Sequence, residues 1–371
     1  MTIDVFAQHF ADVKDPRQTA KISYPLYDVL FLSICAIITG CEGWEDIEDF
    51  GKARLAWLQS LGLFKEGLPV HDTIARLISR IDPSTLQLSF IRWMQEAVKL
   101  SEGEVVAVDG KCLRSSYNRH DRQSAIHMVS AFATANGVVI GQTKTDAKSN
   151  EITAIPDLLN LLEIKGCLIT IDAMGCQHKI TQTIIDKGAD YLIAVKGNQK
   201  RLYDSIKQAF SSVNKATRLH IEKGHGRVEA REYHVLDAAD IARTYPDWAG
   251  LKSIGMAINY QHDGKKESLE YRYYISSALL TTEQFGKAAR GHWGIENKLH
   301  WVLDTAMRED NCQIYRGDGA ENIARLRHIG INLIKVDTSR KASVRRKQRM
   351  AAMDTCYLEA IFIAGCKEAE Q

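Results

Sequence analysis

The apolar residues change their spacing once along the chain, near Ser101, and this change constrains the fold most. Before it, apolar residues recur every three or four positions, as in IEDFGKARLAWLQSLGLF, which is typical of amphipathic helices. After it come three short runs rich in β-branched residues, EVVAVDGKCLR, AIHMVSAFATANG and VVIGQTKTDAK. We therefore predict a helical domain over residues 1–100 and a strand-containing domain over residues 101–371.

The order of elements after residue 100 indicates a single mixed sheet. Asn136 and Gly137 form a hairpin signal between the second and third runs, so the first three strands should be antiparallel neighbours. Helical and strand patterns then alternate through ITAIPDLLNLLEI, CLITIDAM, ITQTIIDKGA and DYLIAVKGN. This βββαβαβ order predicts an α/β (α+β) fold in which helices pack on both faces of the sheet.

Two later segments should complete the second domain. Alternating polar and apolar runs at about residues 205–280, such as SLEYRYYISSAL, predict a separate, antiparallel, β-rich insertion. A long helix follows from Thr281, and further helices finish the chain in a basic region at about residues 311–371. Within this region the run RKASVRRKQR has six basic residues and no acidic one, which is typical of a phosphate-binding surface or of a solvated helix face.

Composition excludes fibrous and disordered proteins but leaves the partner open. The 371 residues are 45% hydrophobic and 25% charged, and the formal net charge of +2 neither indicates nor excludes nucleic acid. The N-terminus lacks the pattern of a signal peptide, and the longest apolar run, residues 30–41, is too short to span a bilayer. Eight scattered cysteines without a CxxC pair indicate reduced, buried thiols. We expect a cytoplasmic protein without a membrane partner.

Two aspartates lie where a charge is costly. Asp109 follows EVVAV in the first predicted strand, and Asp172 lies within LITIDAM. Isolated burial of a carboxylate costs several kcal/mol, so each needs a hydrogen bond, an ion pair or a metal ion. Either one alone fits a hydrogen-bonded acid at a strand end. Two of them on neighbouring strands favour a shared cation.

A third candidate, Glu296, lies in HWGIENKLHWVLD. His292, Glu296 and His300 are spaced i, i+4, i+8 and share one helix face. This spacing permits a zinc site, although it is not the HExxH pattern; an amphipathic core helix whose polar residues line an interface is the favoured alternative to zinc.

Four motifs in order, VDGK at Asp109, TIDAMGCQ at Asp172, ADYLIAVKGNQ at Lys196 and HWGIENKLHWVLD at Glu296, resemble the H-repeat-associated insertion-sequence transposases. The similarity extends to FADVKDPRQTAKISYPLYDVL, which resembles that family's associated domain. The resemblance implies the DDE superfamily of transposases, a ribonuclease H-like fold, and a catalytic, metal-binding triad of Asp109, Asp172 and Glu296. In the related families a β-rich insertion precedes the helix that carries the glutamate.

The resemblance also implies an activity: metal-dependent strand cleavage and strand transfer of an insertion-sequence element. Its cofactor would be Mg²⁺ or Mn²⁺, as two ions, because hard cations take carboxylate ligands and a pair can clamp both oxygens of an in-line displacement. Its partners would be double-stranded DNA, at element ends and target, and a second copy of the chain in a homodimer, in the bacterial cytosol near the nucleoid. Two alternatives stay open: a catalytically silent DNA-binding protein derived from a transposase, and a nuclease that hydrolyses DNA without joining it.

Basic and polar side chains near the triad, and in the basic run, are candidates for DNA contact; taken singly, those near the triad are more typical of a solvated surface, and the basic run is the best candidate for contact with the DNA backbone. They are Lys111, Lys196, Asn198, Gln199, Arg290, His292, Lys298, His300, Arg345, Arg346 and Lys347.

One departure from the family pattern lies around Glu296. Many relatives carry a Y-x2-R-x3-E-x6-K signature, whereas the matching positions here hold Ala289, His292, Glu296 and Leu303. The sequence does not identify which residues replace the tyrosine, arginine and lysine. Glu151, at the start of the helix after the third strand, is a reserve candidate for an extra carboxylate, or simply a favourable charge at a helix N-terminus.

Overall fold

The structure, a computed structural model, describes residues 7–116, 125–145, 151–212, 220–224, 227–262 and 267–365. Its N-terminal part is helical, as predicted. The helices are α1 (Leu26–Thr39), α2 (Trp44–Ser60), α3 (His71–Ile78) and α4 (Pro83–Ala97). No single helix of the described ranges is long and apolar enough to cross a membrane, and the bent pair α1 and α2 passes that test only when both are taken together.

The strands and helices after residue 100 follow the predicted order. They are β1 (Val105–Cys112), β2 (His127–Ala133), β3 (Val138–Lys144), α5 (Glu151–Leu161), β4 (Leu168–Ile171), α6 (His178–Asp186), β5 (Asp190–Val195) and α7 (Lys200–Ala209). Gly137 has a φ of +72° in the turn between β2 and β3, a conformation that glycine adopts without strain.

These strands form one mixed sheet. β1 pairs antiparallel with β2 and β2 with β3, whereas β1, β4 and β5 are parallel neighbours. Side chains of β4 alternate between two apolar layers, because Ile169 and Ile171 belong to the larger core and Leu168 packs with Phe285 on the opposite face. The prediction of a ribonuclease H-like mixed sheet with helices on both faces is confirmed.

The β-rich segment differs from the prediction of a separate insertion. It comprises β6 (His220–Gly224), β7 (Arg227–Asp237), α8 (Ala239–Thr244), β8 (Ser253–His262) and β9 (Glu267–Ser276). β9 pairs antiparallel with β5, so the strands extend the same sheet in the order β3-β2-β1-β4-β5-β9-β8-β7-β6. Without β9, β5 would end the sheet with unpaired backbone N–H and C=O groups, and the pairing with β9 satisfies them.

The C-terminal elements are α9 (Thr282–Ile295), a π-helical segment (Glu296–His300), α10 (Trp301–Thr305), α11 (Gly319–Val336), α12 (Val344–Met353) and α13 (Thr355–Gly365). The C-terminal region is helical, and within it α11 is buried along most of its length. Its Arg325 is buried and pairs with Glu321 at 2.7 Å. α11 packs against α1 and α4, so the predicted N-terminal domain shares its core with the rest of the chain.

The cysteines are unpaired wherever the structure describes them, as predicted. The prediction that they are buried holds for Cys35, Cys167 and Cys176, whereas Cys41, Cys112 and Cys312 are half-buried and Cys356 is exposed. Cys366 lies outside the described residues.

Candidate functional site

Asp109 and Asp172 lie side by side at the carboxyl end of β4. Val108 of β1 is in register with Ile171 of β4, so the two aspartates come next on adjacent parallel strands. Asp172 caps the short 3-10 turn after β4, where its Oδ1 accepts hydrogen bonds from the backbone N–H groups of Met174 at 2.9 Å and Gly175 at 3.3 Å. Carboxyl ends of parallel strands are where α/β proteins commonly bind ligands.

Glu296 approaches this edge from a helix. α9 begins at a capping box formed by Thr281 and Gln284, and it packs against β1 and β4. The Nδ1 atom of His292 lies 3.2 Å from Oγ1 of Thr170 on β4, which ties the helix to the sheet one turn before Glu296. Glu296 is the first residue of the π-helical segment, and such interruptions recur at functional sites.

The electrostatics join these acids into one cluster with Glu151. Burial is the main cause that raises the pKa of Asp109 to about 7, and the negative charges of Glu151, Asp172 and Glu296 add to it, against a hydrogen bond from the Gly110 backbone. Burial and Asp172 also raise the pKa values of Glu151 and Glu296. We call Asp109, Glu151, Asp172 and Glu296 the carboxylate cluster.

The donor chemistry of the carboxylate cluster suits a hard divalent cation, since oxygen ligands that oppose one another's ionisation gain most from a shared positive charge. In the described ranges, no group of three or more His, Cys, Asp or Glu side chains is already arranged to hold a metal ion. This applies to the carboxylate cluster as well as to the zinc alternative built on His292, Glu296 and His300. Against zinc stands the placement of the two imidazoles, which lie 3.2 Å from Oγ1 of Thr170 and 3.5 Å from Oδ2 of Asp109.

A cleft of about 430 Å³ opens beside Asp172 and Glu296. Lys196, at the end of β5, is exposed and lines it. Arg272 of β9 lines it too and lowers the pKa of Glu296, although burial and Asp172 raise that pKa overall. The guanidinium carbon of Arg272 lies 4.4 Å from the ring centroid of Trp293. The sequence pattern identified β9 as a strand but contained no signal for Arg272, which reaches the site only because β9 pairs with β5.

Asn198 and Gln199, predicted as DNA contacts, hold the loop after β5. The Asn198 side-chain amide donates to the carbonyl of Ala173 at 2.7 Å, and that of Gln199 donates to the carbonyl of Cys176 at 2.9 Å. Both bonds tie this loop to the turn that contains Asp172. These residues therefore position the edge of the site.

His300 and Lys111 lie behind the carboxylate cluster. Nδ1 of His300 is 3.5 Å from Oδ2 of Asp109. Burial, with Lys111 next in importance, lowers the pKa of His300 to about 4, so the ring is neutral near pH 7. The ammonium of Lys111 donates to Asp304 at 2.5 Å and to Glu309 at 2.7 Å. Lys111 is therefore part of a buried ion-pair group, and we leave it out of the DNA surface.

The pair of Lys111 and Glu309 leads to a prediction about stability. Burial raises the pKa of Glu309, but the charges of Lys111, His328 and Arg327 lower it overall. Its ionised form therefore stabilises the fold above its ordinary pKa of 4.5, and this contribution is lost as the pH falls through the lowered folded-state pKa. We expect Glu309→Gln to lower the free energy of unfolding at pH 7 by about 1–3 kcal/mol. Urea unfolding at pH 7 and pH 3 measures this, and a loss of equal size at both pH values would contradict it.

The remaining residues predicted to contact DNA differ in how exposed their side chains are. Arg290 and Lys298 are exposed on the helix that carries Glu296, and Arg345 and Arg346 are exposed on α12. Lys347 is buried, and its ammonium donates to the carbonyls of Ile334, at 3.0 Å, and Asp337. The expectation that Lys347 contacts phosphate is therefore corrected: it satisfies backbone carbonyls at the end of α11.

Comparisons of the sequence with known proteins identify transposases. The family model described as "Transposase DDE domain" matches residues 100–333, and one described as "DDE_Tnp_1-associated" matches residues 7–94. The chain is 48% identical to "H repeat-associated putative transposase YhhI" of Escherichia coli K12, over 98% of this chain and 99% of that protein. It is 45% identical to "Putative transposase YncI" of Escherichia coli O157:H7, over 99% and 96%.

A solved structure, the cryo-EM structure of the piggyBac transposase synaptic complex with hairpin DNA, matches with a TM-score of 0.47 and 11% identity, over 97% of this chain and 80% of that one. The family model covers more than half of the chain, and the two relatives cover nearly all of it. The chain therefore belongs to the H-repeat-associated transposases of the DDE family.

Proposed function

We propose that the chain is a DNA transposase that cleaves strands at the ends of an insertion-sequence element and joins them to target DNA. One observation carries the proposal: Asp109 and Asp172 lie side by side at the carboxyl end of β4, and the charge of Glu296, on a helix, acts on Asp109. Asp109 and Glu296 are 187 residues apart in the sequence (296 − 109), and folding brings both into the same electrostatic cluster.

Asp109, Asp172 and Glu296 would hold Mg²⁺ or Mn²⁺, as two ions. When bound, such ions activate the attacking oxygen and stabilise the leaving oxygen of a phosphodiester. The chain's own residues supply the rest: Lys196 lines the cleft as a cation for phosphate oxygens, and Arg272 lines it too, with its guanidinium paired with Glu270 at 2.9 Å. We assign to Arg272 part of the role of the missing arginine and lysine of the family signature.

The proposed chemistry has two steps. Water first attacks the phosphorus at the element end, and the bond from phosphorus to the 3′ oxygen breaks, which leaves a 3′ hydroxyl and a 5′ phosphate. That hydroxyl then attacks a phosphorus of target DNA and releases a 3′ hydroxyl of the target. In each step the nucleophile loses a proton and the leaving oxygen gains one, so no enzyme side chain forms a covalent bond to DNA.

The test uses purified full-length protein, labelled DNA with candidate element ends, target DNA and MgCl₂. Nicked and joined products are mapped on a sequencing gel. Joined products support a transposase. Nicks without joining favour the hydrolytic nuclease, and bound but intact DNA favours the catalytically silent binder. The proposal also includes a homodimer that holds two paired element ends, and gel filtration of the protein–DNA complex measures this oligomeric state. It further places the protein and its DNA in the bacterial cytosol.

The exposed arginines of α12, Arg345 and Arg346, lead to a second prediction. We expect Arg345→Ala with Arg346→Ala to weaken binding about equally across DNA sequences, and to reduce the slope of log affinity against log salt by roughly 0.9 per lost phosphate contact. Fluorescence titrations at several salt concentrations measure both effects, with Asp157→Asn as an exposed control. An unchanged slope would show that these arginines are only a solvated face.

A further inference from the structure

Glu151 is placed differently from an ordinary acid at a helix N-terminus. It is the first residue of α5, and its side chain is only 15% exposed. The carboxylate lies against Gly110, the residue after Asp109. A Cβ atom built on Gly110 would lie 2.1 Å from Oε1 of Glu151 and 2.2 Å from its Cδ. A residue larger than glycine at position 110 would displace this carboxylate from its present position.

The surroundings of Glu151 oppose its charge. The carboxylate is mostly buried, and Nδ1 of His127 lies 4.0 Å from Oε1, which is too far for a hydrogen bond. A favourable charge at a helix N-terminus contributes only about 0.3–1 kcal/mol, which does not explain a buried position beside two other acids.

We propose that Glu151 is a fourth carboxylate ligand for the divalent ions of this site, and that Gly110 is glycine because the Glu151 carboxylate occupies the space of its side chain. This inference rests on the proposed function. α5 packs against β2 and β3, so Glu151 reaches the sheet edge from an element other than the helix that carries Glu296. Ligands from two helices and two strands then surround the edge, which gives a pair of ions more oxygen donors than a triad supplies.

The experiment measures Mn²⁺ binding to the full-length protein by electron paramagnetic resonance, in the absence of DNA and of turnover. We expect Glu151→Gln to raise the dissociation constant for Mn²⁺ by ~10-fold or more. Gly110→Ala should do the same although it keeps all four acids, because the added methyl group displaces the Glu151 carboxylate. Asp157→Asn, an exposed acid on the same helix, should bind Mn²⁺ like the wild type.

The outcomes separate this inference from the proposed function. Wild-type affinity in folded Glu151→Gln overturns the inference, and so does a loss of thermal stability in that variant with unchanged Mn²⁺ binding, which is the result expected of a helix N-terminal charge. If Gly110→Ala does not fold, Glu151→Gln, which keeps the size of the side chain, decides alone. A wild-type protein that binds no Mn²⁺ overturns both proposals. Weaker Mn²⁺ binding in Glu151→Gln together with no strand transfer by the wild type supports the inference and refutes the proposed activity.

Discussion

Asp109→Asn is expected to abolish both strand cleavage and strand joining while DNA binding is retained. Asn keeps the size of Asp and loses the negative charge, and ligation of hard cations depends on that charge. Asp172→Asn and Glu296→Gln should have the same effect, because the three acids act as one unit. We expect losses of ~1,000-fold or more in each variant, which corresponds to about 4 kcal/mol of transition-state stabilisation.

Strand cleavage and joining are measured on labelled element ends in MgCl₂, and binding is measured on the same DNA by gel shift in EDTA. Asp157→Asn is the matched control, since it removes an exposed carboxylate of α5 that lies outside the carboxylate cluster. Joining at the wild-type rate by any of the three variants would refute the assignment of that acid. Loss of DNA binding in all three would instead show that the acids are structural.

The sequence predicted the central sheet well because its signals are local. Each of β1 to β5 is a short apolar run, and the turn at Asn136 and Gly137 determines the pairing of β2 with β3. The pairing of β9 with β5 was not predictable, since it joins residues about 80 positions apart and depends on which sheet edge is free. The same reason explains why the β-rich segment was expected to be separate.

Within the candidate site, the residues that can be predicted from the sequence are those whose charge interrupts an otherwise apolar strand. Asp109 and Asp172 were recognisable in this way, and their proximity follows from the register of β1 with β4. Arg272 was not recognisable, because an arginine in an alternating strand fits either exposed face. Lys347 was misassigned for a related reason. Counting charges along the basic run cannot distinguish the one side chain that α12 turns towards α11 from its exposed neighbours.

The burial of Lys347 leads to the largest expected effect on stability. Its ammonium donates to two carbonyls at the end of α11 and lies 3.2 Å from Oδ2 of Asp337, whose side chain is 1% exposed. Lys347→Met leaves that carboxylate without its cation and those carbonyls without a donor. Removing one partner of a buried pair typically costs about 3–5 kcal/mol, and we expect a loss in that range for the free energy of unfolding.

Urea unfolding of the full chain measures this loss, with Arg346→Ala as the exposed neighbour that should change stability by less than about 0.5 kcal/mol. Adding Asp337→Asn to Lys347→Met should restore part of the stability, because the unpaired buried charge is removed while the amide oxygen still accepts from Ser339 and the amide nitrogen can donate to the hydroxyl oxygen of Tyr357. If Lys347→Met instead unfolds like the wild type and lowers the salt dependence of DNA binding, Lys347 contacts phosphate. Lys347 would then face DNA together with Arg345 and Arg346, and α11 would end without the side-chain cap that the structure gives it.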